Sequence, residues 1–123
     1  YDEFFRFCYE RGNTIVWVDE LLSIASSSNC PFWLTVIATR GRSKNVGLWA
    51  CSQRPTGVPK IIISNSKHFV VYNLPAFDDR QTLYKNTGCR EFLEQPKGEY
   101  TFWYYKQGMQ NAIHGVLVEG KGG

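Results

Sequence analysis

From Leu21 to Phe77 the chain contains no aspartate or glutamate, although acids and bases are mixed elsewhere. Six bases stand in that stretch: Arg40, Arg42, Lys44, Arg54, Lys60 and Lys67. Such a surface suits phosphates, of a nucleotide or of a DNA backbone; solubilising charge on helix ends and loops is the plainer alternative. The four cysteines are widely spaced. Cys8, Cys30, Cys51 and Cys89 form no Cys-x-x-Cys, and His68 and His114 are remote from them in sequence. This argues against zinc ligation and a disulfide framework, and favours reduced thiols in a cytosol-like compartment. No apolar run approaches the ~20 residues that span a bilayer, so no membrane partner is expected. A basic-then-apolar leader is also missing, which gives secretion no support and makes a cytoplasmic location the expectation. Internal repeats, coiled-coil heptads and low-complexity tracts are absent.

What is present begins with Asn13–Glu20, Asn-Thr-Ile-Val-Trp-Val-Asp-Glu. Its apolar core, Ile15 to Val18, has the length and composition of a strand buried on both faces, as in a parallel sheet. Asp19 and Glu20 then fall at the carboxyl end, where open α/β sheets bind ligands. A carboxylate pair there suits NTP hydrolysis: one acid holds hydrated magnesium, and the other orients and polarises the attacking water. An acid in this position also caps a following helix, which is the simpler reading.

Residues 40–55 read Arg-Gly-Arg-Ser-Lys-Asn-Val-Gly-Leu-Trp-Ala-Cys-Ser-Gln-Arg-Pro. This is a basic helix end, a glycine-containing turn, an apolar strand and then a polar turn. Val46 to Cys51 would lie parallel to Ile15–Val18, with the intervening residues as helical crossover. Gln53 would emerge at the same sheet edge as Asp19 and Glu20. Its amide can donate to a phosphate oxygen and accept from a water.

In order and spacing these segments resemble the FtsK and HerA type of P-loop ATPases, ring-forming motors that pump DNA in conjugation and viral genome packaging. The resemblance runs from about Thr14 to Gly98. It rests on Ile-Val-Trp-Val-Asp-Glu, Thr-Arg-Gly-Arg-Ser-Lys-Asn-Val-Gly, Ser-Gln-Arg-Pro, Asn65 to Tyr72, and Asp78-Asp79-Arg80. It implies that Asp19 and Glu20 form the Walker B pair, with Asp19 carrying magnesium through water. It makes Gln53 the polar sensor and Arg40 or Arg42 the arginine offered to a neighbouring subunit's nucleotide. Arg54, next to the sensor, would bind phosphate or brace Asp19. ATP and Mg are the implied cofactors, and DNA and a homo-oligomeric ring the implied partners. A viral setting would place the protein in the host cytoplasm.

One departure from the family is plain. No Gly-x-x-x-x-Gly-Lys-Ser/Thr occurs; Gly120-Lys121 is followed by Gly122. The β- and γ-phosphates need the backbone N–H cradle, lysine and hydroxyl of that loop. With Tyr1 rather than Met at the start, the expectation is the carboxyl-terminal half of a motor ATPase whose P-loop half is missing. Such a chain alone is expected to be inactive. A stand-alone nucleic-acid- or partner-binding module on a degenerate ATPase fold is the alternative, and a ring-assembly subunit a third.

The fold expected is α/β, a partial RecA-like P-loop NTPase fold with three mainly parallel strands and a C-terminal antiparallel hairpin. Residues 1–118 would form the C-terminal portion of one ATPase domain, and residues 119–123 a flexible tail. Helices are expected over Tyr1–Arg11, from Phe32 towards Arg40, from Pro59 through Ile63, and from Asp79 to about Asn86 with Asp78 as cap. Ser26 to Asn29 reads as a polar loop. Lys67–Asn73 is the third strand, and Glu99–Lys106 with Asn111–Val118 the hairpin. Tyr100, Phe102, Trp103, Tyr104 and Tyr105 place aromatics on both faces of one strand. Core packing explains them better than stacking on single-stranded nucleic acid.

Overall fold

The computed structural model describes residues 1–117; the expected tail and the last residue of the second hairpin strand lie outside them. The chain divides into two compact units, residues 1–65 and residues 66–123.

The first unit opens with α1, Asp2–Arg11, which buries Phe5 and Cys8, one turn apart, and ends where Gly12 takes φ +69°. Strand β1, Thr14–Val18, pairs in parallel with β2, Val46–Ala50, in the register Thr14↔Val46 to Val18↔Ala50. Between them α2, Phe32–Arg40, supplies the crossover, and a 3-10 turn, Gly41–Lys44, leads into β2. After β2 come a second 3-10 turn, Pro55–Gly57, and the short α3, Lys60–Asn65. The core gathers Phe5, Cys8, Val16, Val18, Leu34, Ile37 and Val46.

Burial of β1 on both faces is corrected. Val16 and Val18 are buried, whereas Ile15, Trp17 and, on β2, Trp49 are 59–69 % exposed. Alternate residues of a strand point to opposite faces, so a continuous apolar run permits either one-sided or two-sided burial. The exposed indoles stack on each other, centroids 6.1 Å apart and planes at 26°. Cys51, expected inside the strand as a small hydrophobe, lies just beyond β2 and is exposed.

The second unit holds β3, His68–Val71; α4, Phe77–Thr87; a 3-10 turn, Arg90–Leu93; and the hairpin β4, Thr101–Lys106, with β5, Ile113–Val116. Its sheet runs β3-β4-β5 and is antiparallel throughout. The mixed α/β class and the terminal hairpin therefore stand, and the third strand's pairing is corrected from parallel to antiparallel. An apolar run does not encode which neighbour it will meet. Here Phe69, Phe92 and Tyr105 pack ring against ring, 5.8–6.3 Å between centroids, and draw β3 onto β4.

Helix α4 begins two residues earlier than expected, at Phe77 rather than Asp79. Ala76 occupies the N-cap, and Asp78 and Asp79 lie in the first turn, where the helix dipole favours acids. Asp79 is buried. Gly88, at φ +76°, closes the helix as expected. Both histidines sit on exposed strand positions with partners: His68 Nδ1 lies 2.7 Å from the Tyr104 hydroxyl, and His114 Nε2 3.1 Å from the Lys97 carbonyl.

Candidate functional site

The parallel β1–β2 pair fixes where the candidate residues emerge. Beyond the last register pair the ladder continues, with the Cys51 N–H donating to the Val18 carbonyl at 3.0 Å and the Leu21 N–H to the Cys51 carbonyl at 2.8 Å. Asp19 and Glu20 therefore leave β1 at the same edge at which Ser52, Gln53 and Arg54 leave β2. Asp19, Glu20, Gln53 and Arg54 are all exposed.

Glu20 has a local task as well. It is the N-cap of a 3-10 turn, Leu21–Ser23; its Oε1 accepts from the Leu22 N–H at 3.3 Å, and its carbonyl accepts from the Ser23 hydroxyl at 2.7 Å. On the other strand, the Ser52 hydroxyl accepts from the Arg54 N–H at 3.3 Å and bends the chain after Gln53. The two connections meet at Leu22 and Gly57. A Cβ on Gly57 would approach Leu22 Cδ2 to 3.1 Å, so the loop after Gln53 closes tightly on the turn after Glu20.

Arg40 and Arg42 lie elsewhere. They end α2 and enter the following turn, at the amino-terminal edge of β1 and β2. There the Asn13 N–H donates to the Lys44 carbonyl at 3.0 Å, and Asn45 Nδ2 to Asn13 Oδ1 at 2.9 Å. Five strand residues separate the two edges, about 16 Å at ~3.3 Å per residue. The basic cluster that flanks Gln53 in sequence is thus split by the fold. Arg54 stays with the acids, while Arg40, Arg42 and Lys44 gather at the far end.

Sequence reasoning missed Asn13 and Asn45, both at positive φ, 48° and 57°. The signal was available, since an asparagine directly before an apolar strand is a residue that tolerates the left-handed region. It also missed the Leu22–Gly57 contact, for which the sequence carries no local sign.

The residues fit a hydrated magnesium only in part. No cluster of three or more His, Cys, Asp or Glu capable of holding a metal occurs among the described residues. Mg²⁺ normally keeps several waters and takes one or two carboxylates plus substrate phosphates, and Asp19 offers one exposed carboxylate at this edge. The phosphate cradle does not fit this chain, because its sequence contains no P-loop. Among the described residues no helix is long and apolar enough to cross a membrane.

The architecture, a parallel strand pair with helical crossover and an antiparallel three-strand sheet, has counterparts among solved structures. Solved structures of the genome packaging NTPase B204 from Sulfolobus turreted icosahedral virus 2 share it. The AMP complex superposes with a TM-score of 0.77 at 16% identity, covering 95% of this chain and 63% of that one. The ATP-gammaS complex gives 0.72 at 14% identity, covering 89% and 55%, and the sulfate complex 0.78 at 14%, covering 97% and 65%. This chain therefore spans less than two thirds of those chains. No family model and no curated protein matches the sequence.

Proposed function

We propose that this chain is part of an ATP-hydrolysing, DNA-translocating ring motor of the genome-packaging kind, carrying the Walker B and sensor elements but not the P-loop. One observation carries the reading: the in-register β1–β2 pair that brings Asp19, Glu20 and Gln53 out at one sheet edge. The likeness of fold to a viral genome packaging NTPase, solved with AMP, ATP-gammaS and AMPPCP, adds support.

In this reading Asp19 would hold magnesium through water, and ATP–Mg, when bound, would supply the reactive phosphate. Glu20 accepts a proton from the attacking water with the carboxylate oxygen that does not cap the Leu22 N–H. Gln53 donates to the terminal phosphate and passes its presence to β2. Arg54 binds phosphate or braces Asp19. The distance of Arg40 and Arg42 from the acids suits action on a neighbouring subunit's nucleotide, across a homo-oligomeric ring. The phosphate cradle belongs to a P-loop half carried on a longer chain, and DNA is the polymer moved.

The test is magnesium-dependent ATP turnover, with and without DNA, in a chain extended by its upstream reading frame. Turnover abolished by Glu20→Gln is the expected result. Unchanged turnover in that variant would remove Glu20 from catalysis. DNA binding by the present chain with no nucleotide requirement would instead favour a stand-alone binding module.

A further inference from the structure

An open cleft of about 460 Å³ lies in the second unit, just beyond the end of β3. Tyr72, Asn73, Gln95, Pro96, Glu99 and Tyr100 line it. Its size falls within the ~300–1,000 Å³ range of small-molecule sites. None of the residues discussed for hydrolysis contributes to it.

We propose that this cleft binds a nucleobase, the planar heterocycle itself rather than its phosphates. Three observations converge. The first is aromatic exposure, since Tyr72 and Tyr100 remain 47 % and 67 % exposed at its walls. Tyr72 is backed by Phe102, 5.6 Å between centroids, so its ring has support on one side and a cleft beside it. A tyrosine held in that way is a stacking platform.

Strain is the second observation. Tyr100 sits at φ +57°, a region that a bulky side chain enters only when its surroundings force it. Two hydrogen bonds maintain the kink. The Leu117 N–H donates to the Tyr100 carbonyl at 2.7 Å, and the Thr101 hydroxyl to the Gly98 carbonyl at 3.0 Å. Held in this turn, the exposed Tyr100 ring is fixed at the wall of the cleft.

Charge is the third. No lysine or arginine lines the cleft, and Glu99 stands at it, so the lining offers a phosphate no cationic partner. Its polar side chains include the amides of Asn73 and Gln95, each with donor and acceptor atoms that match the edge of a base. The heterocycle arrives either on a nucleotide or on a single-stranded nucleic acid. The nucleotide form deepens the proposed function and rests on it; the cleft's preference for a base does not.

Adenosine, which has no phosphate and so needs no P-loop, is the probe. It is titrated into the folded full chain and followed by calorimetry and by chemical shifts of Tyr72 and Tyr100. Saturable binding is expected, weakened about tenfold or more by Tyr100→Gly and by Tyr72→Leu. Glycine relieves the positive φ and so keeps the fold, and Tyr72 is half exposed. Ribose 5-phosphate should not bind. Tighter binding per base by an oligo(dA) than by AMP assigns the single strand, and binding by AMP at least as tight as by oligo(dA) per base assigns the nucleotide. A folded chain that does not saturate with adenosine, or variants that bind it unchanged, would overturn the proposal. Neither result bears on Glu20 and ATP turnover, so the two readings fail separately.

Discussion

The carboxylate of Asp2 accepts a 2.7 Å hydrogen bond from the backbone N–H of Trp33, 31 residues along the chain. Pro31 is the N-cap of α2 and makes no side-chain cap bond there, so Asp2 performs the capping from another helix. The bond fixes the start of α1 on the start of α2, beneath the β1–β2 pair that carries the acids. Asp2→Ala removes an acceptor from a helix N-terminus and is expected to lower stability by about 1 kcal/mol. Asp2→Asn, which keeps an acceptor oxygen, should recover part of it. Urea denaturation followed by tryptophan fluorescence measures both.

The two tasks of Glu20 can be separated by substitution. Glutamine preserves an oxygen for the Leu22 N–H and loses the base, so Glu20→Gln should leave the melting temperature of the extended chain nearly unchanged while abolishing turnover. Glu20→Ala loses the cap too and is expected to cost about 1 kcal/mol of stability. Equal turnover in Glu20→Gln and the unmodified protein would contradict the proposed role.

Arg40 and Arg42 stand about 16 Å of strand from Asp19, and a trans-acting role predicts a particular signature. In mixed rings, a subunit carrying the responsible Arg→Ala change should hydrolyse normally beside an intact neighbour. A uniform ring of that variant should lose about a thousandfold in turnover or more. Loss confined to the mutated subunit's own site would rule out action in trans.

Glycines 41 and 88 call for different outcomes on substitution. A Cβ on Gly41 would collide with the Val46 carbonyl oxygen, and backbone cannot rotate away as a side chain does. Gly41→Ala is expected to cost about 1–3 kcal/mol and to disturb the entry into β2. Gly88 has open space around it but sits at φ +76°, so Gly88→Ala should cost only about 1 kcal/mol. Thermal melts of the two variants, read side by side, test the difference.

The thiols should divide by exposure. Cys51 is exposed and should react readily with a thiol reagent, while buried Cys8 and Cys89 stay protected in the folded chain. Burial, then the Glu91 carboxylate, pushes the Cys89 thiol up from 9.0 to about 11. A raised thiol pKa means that the folded chain holds its proton longer than the unfolded one. Its contribution to stability is therefore complete below pH 9 and declines as pH rises towards 11. Denaturation midpoints of Cys89→Ser and the unmodified chain should differ in slope across that interval.

Much of this was legible in sequence because the signals were local. Gly12 and Gly88 end helices where glycine permits positive φ, and the apolar runs before Asp19 and before Gln53 are strands. The shared edge of Asp19, Glu20 and Gln53 followed from a strand–helix–strand order, since such crossovers make the strands parallel. The placing of Arg40 and Arg42 at the far edge follows from the same order. Proximity to Gln53 in sequence concealed it.

The sequence by itself determined the element order, the parallel pair and the edge at which the acids emerge, because turn residues and hydrophobic runs act within a few positions. Only the tertiary structure decided which face of β1 is covered, which strand β3 joins, and that Asp2 caps α2. Those outcomes depend on which distant side chains fill the available space. Val16 and Val18 meet the helical core while Trp17 meets Trp49, and Phe69 finds Phe92 and Tyr105. An apolar residue specifies that it be buried, not beside what, and long-range packing supplies the partner.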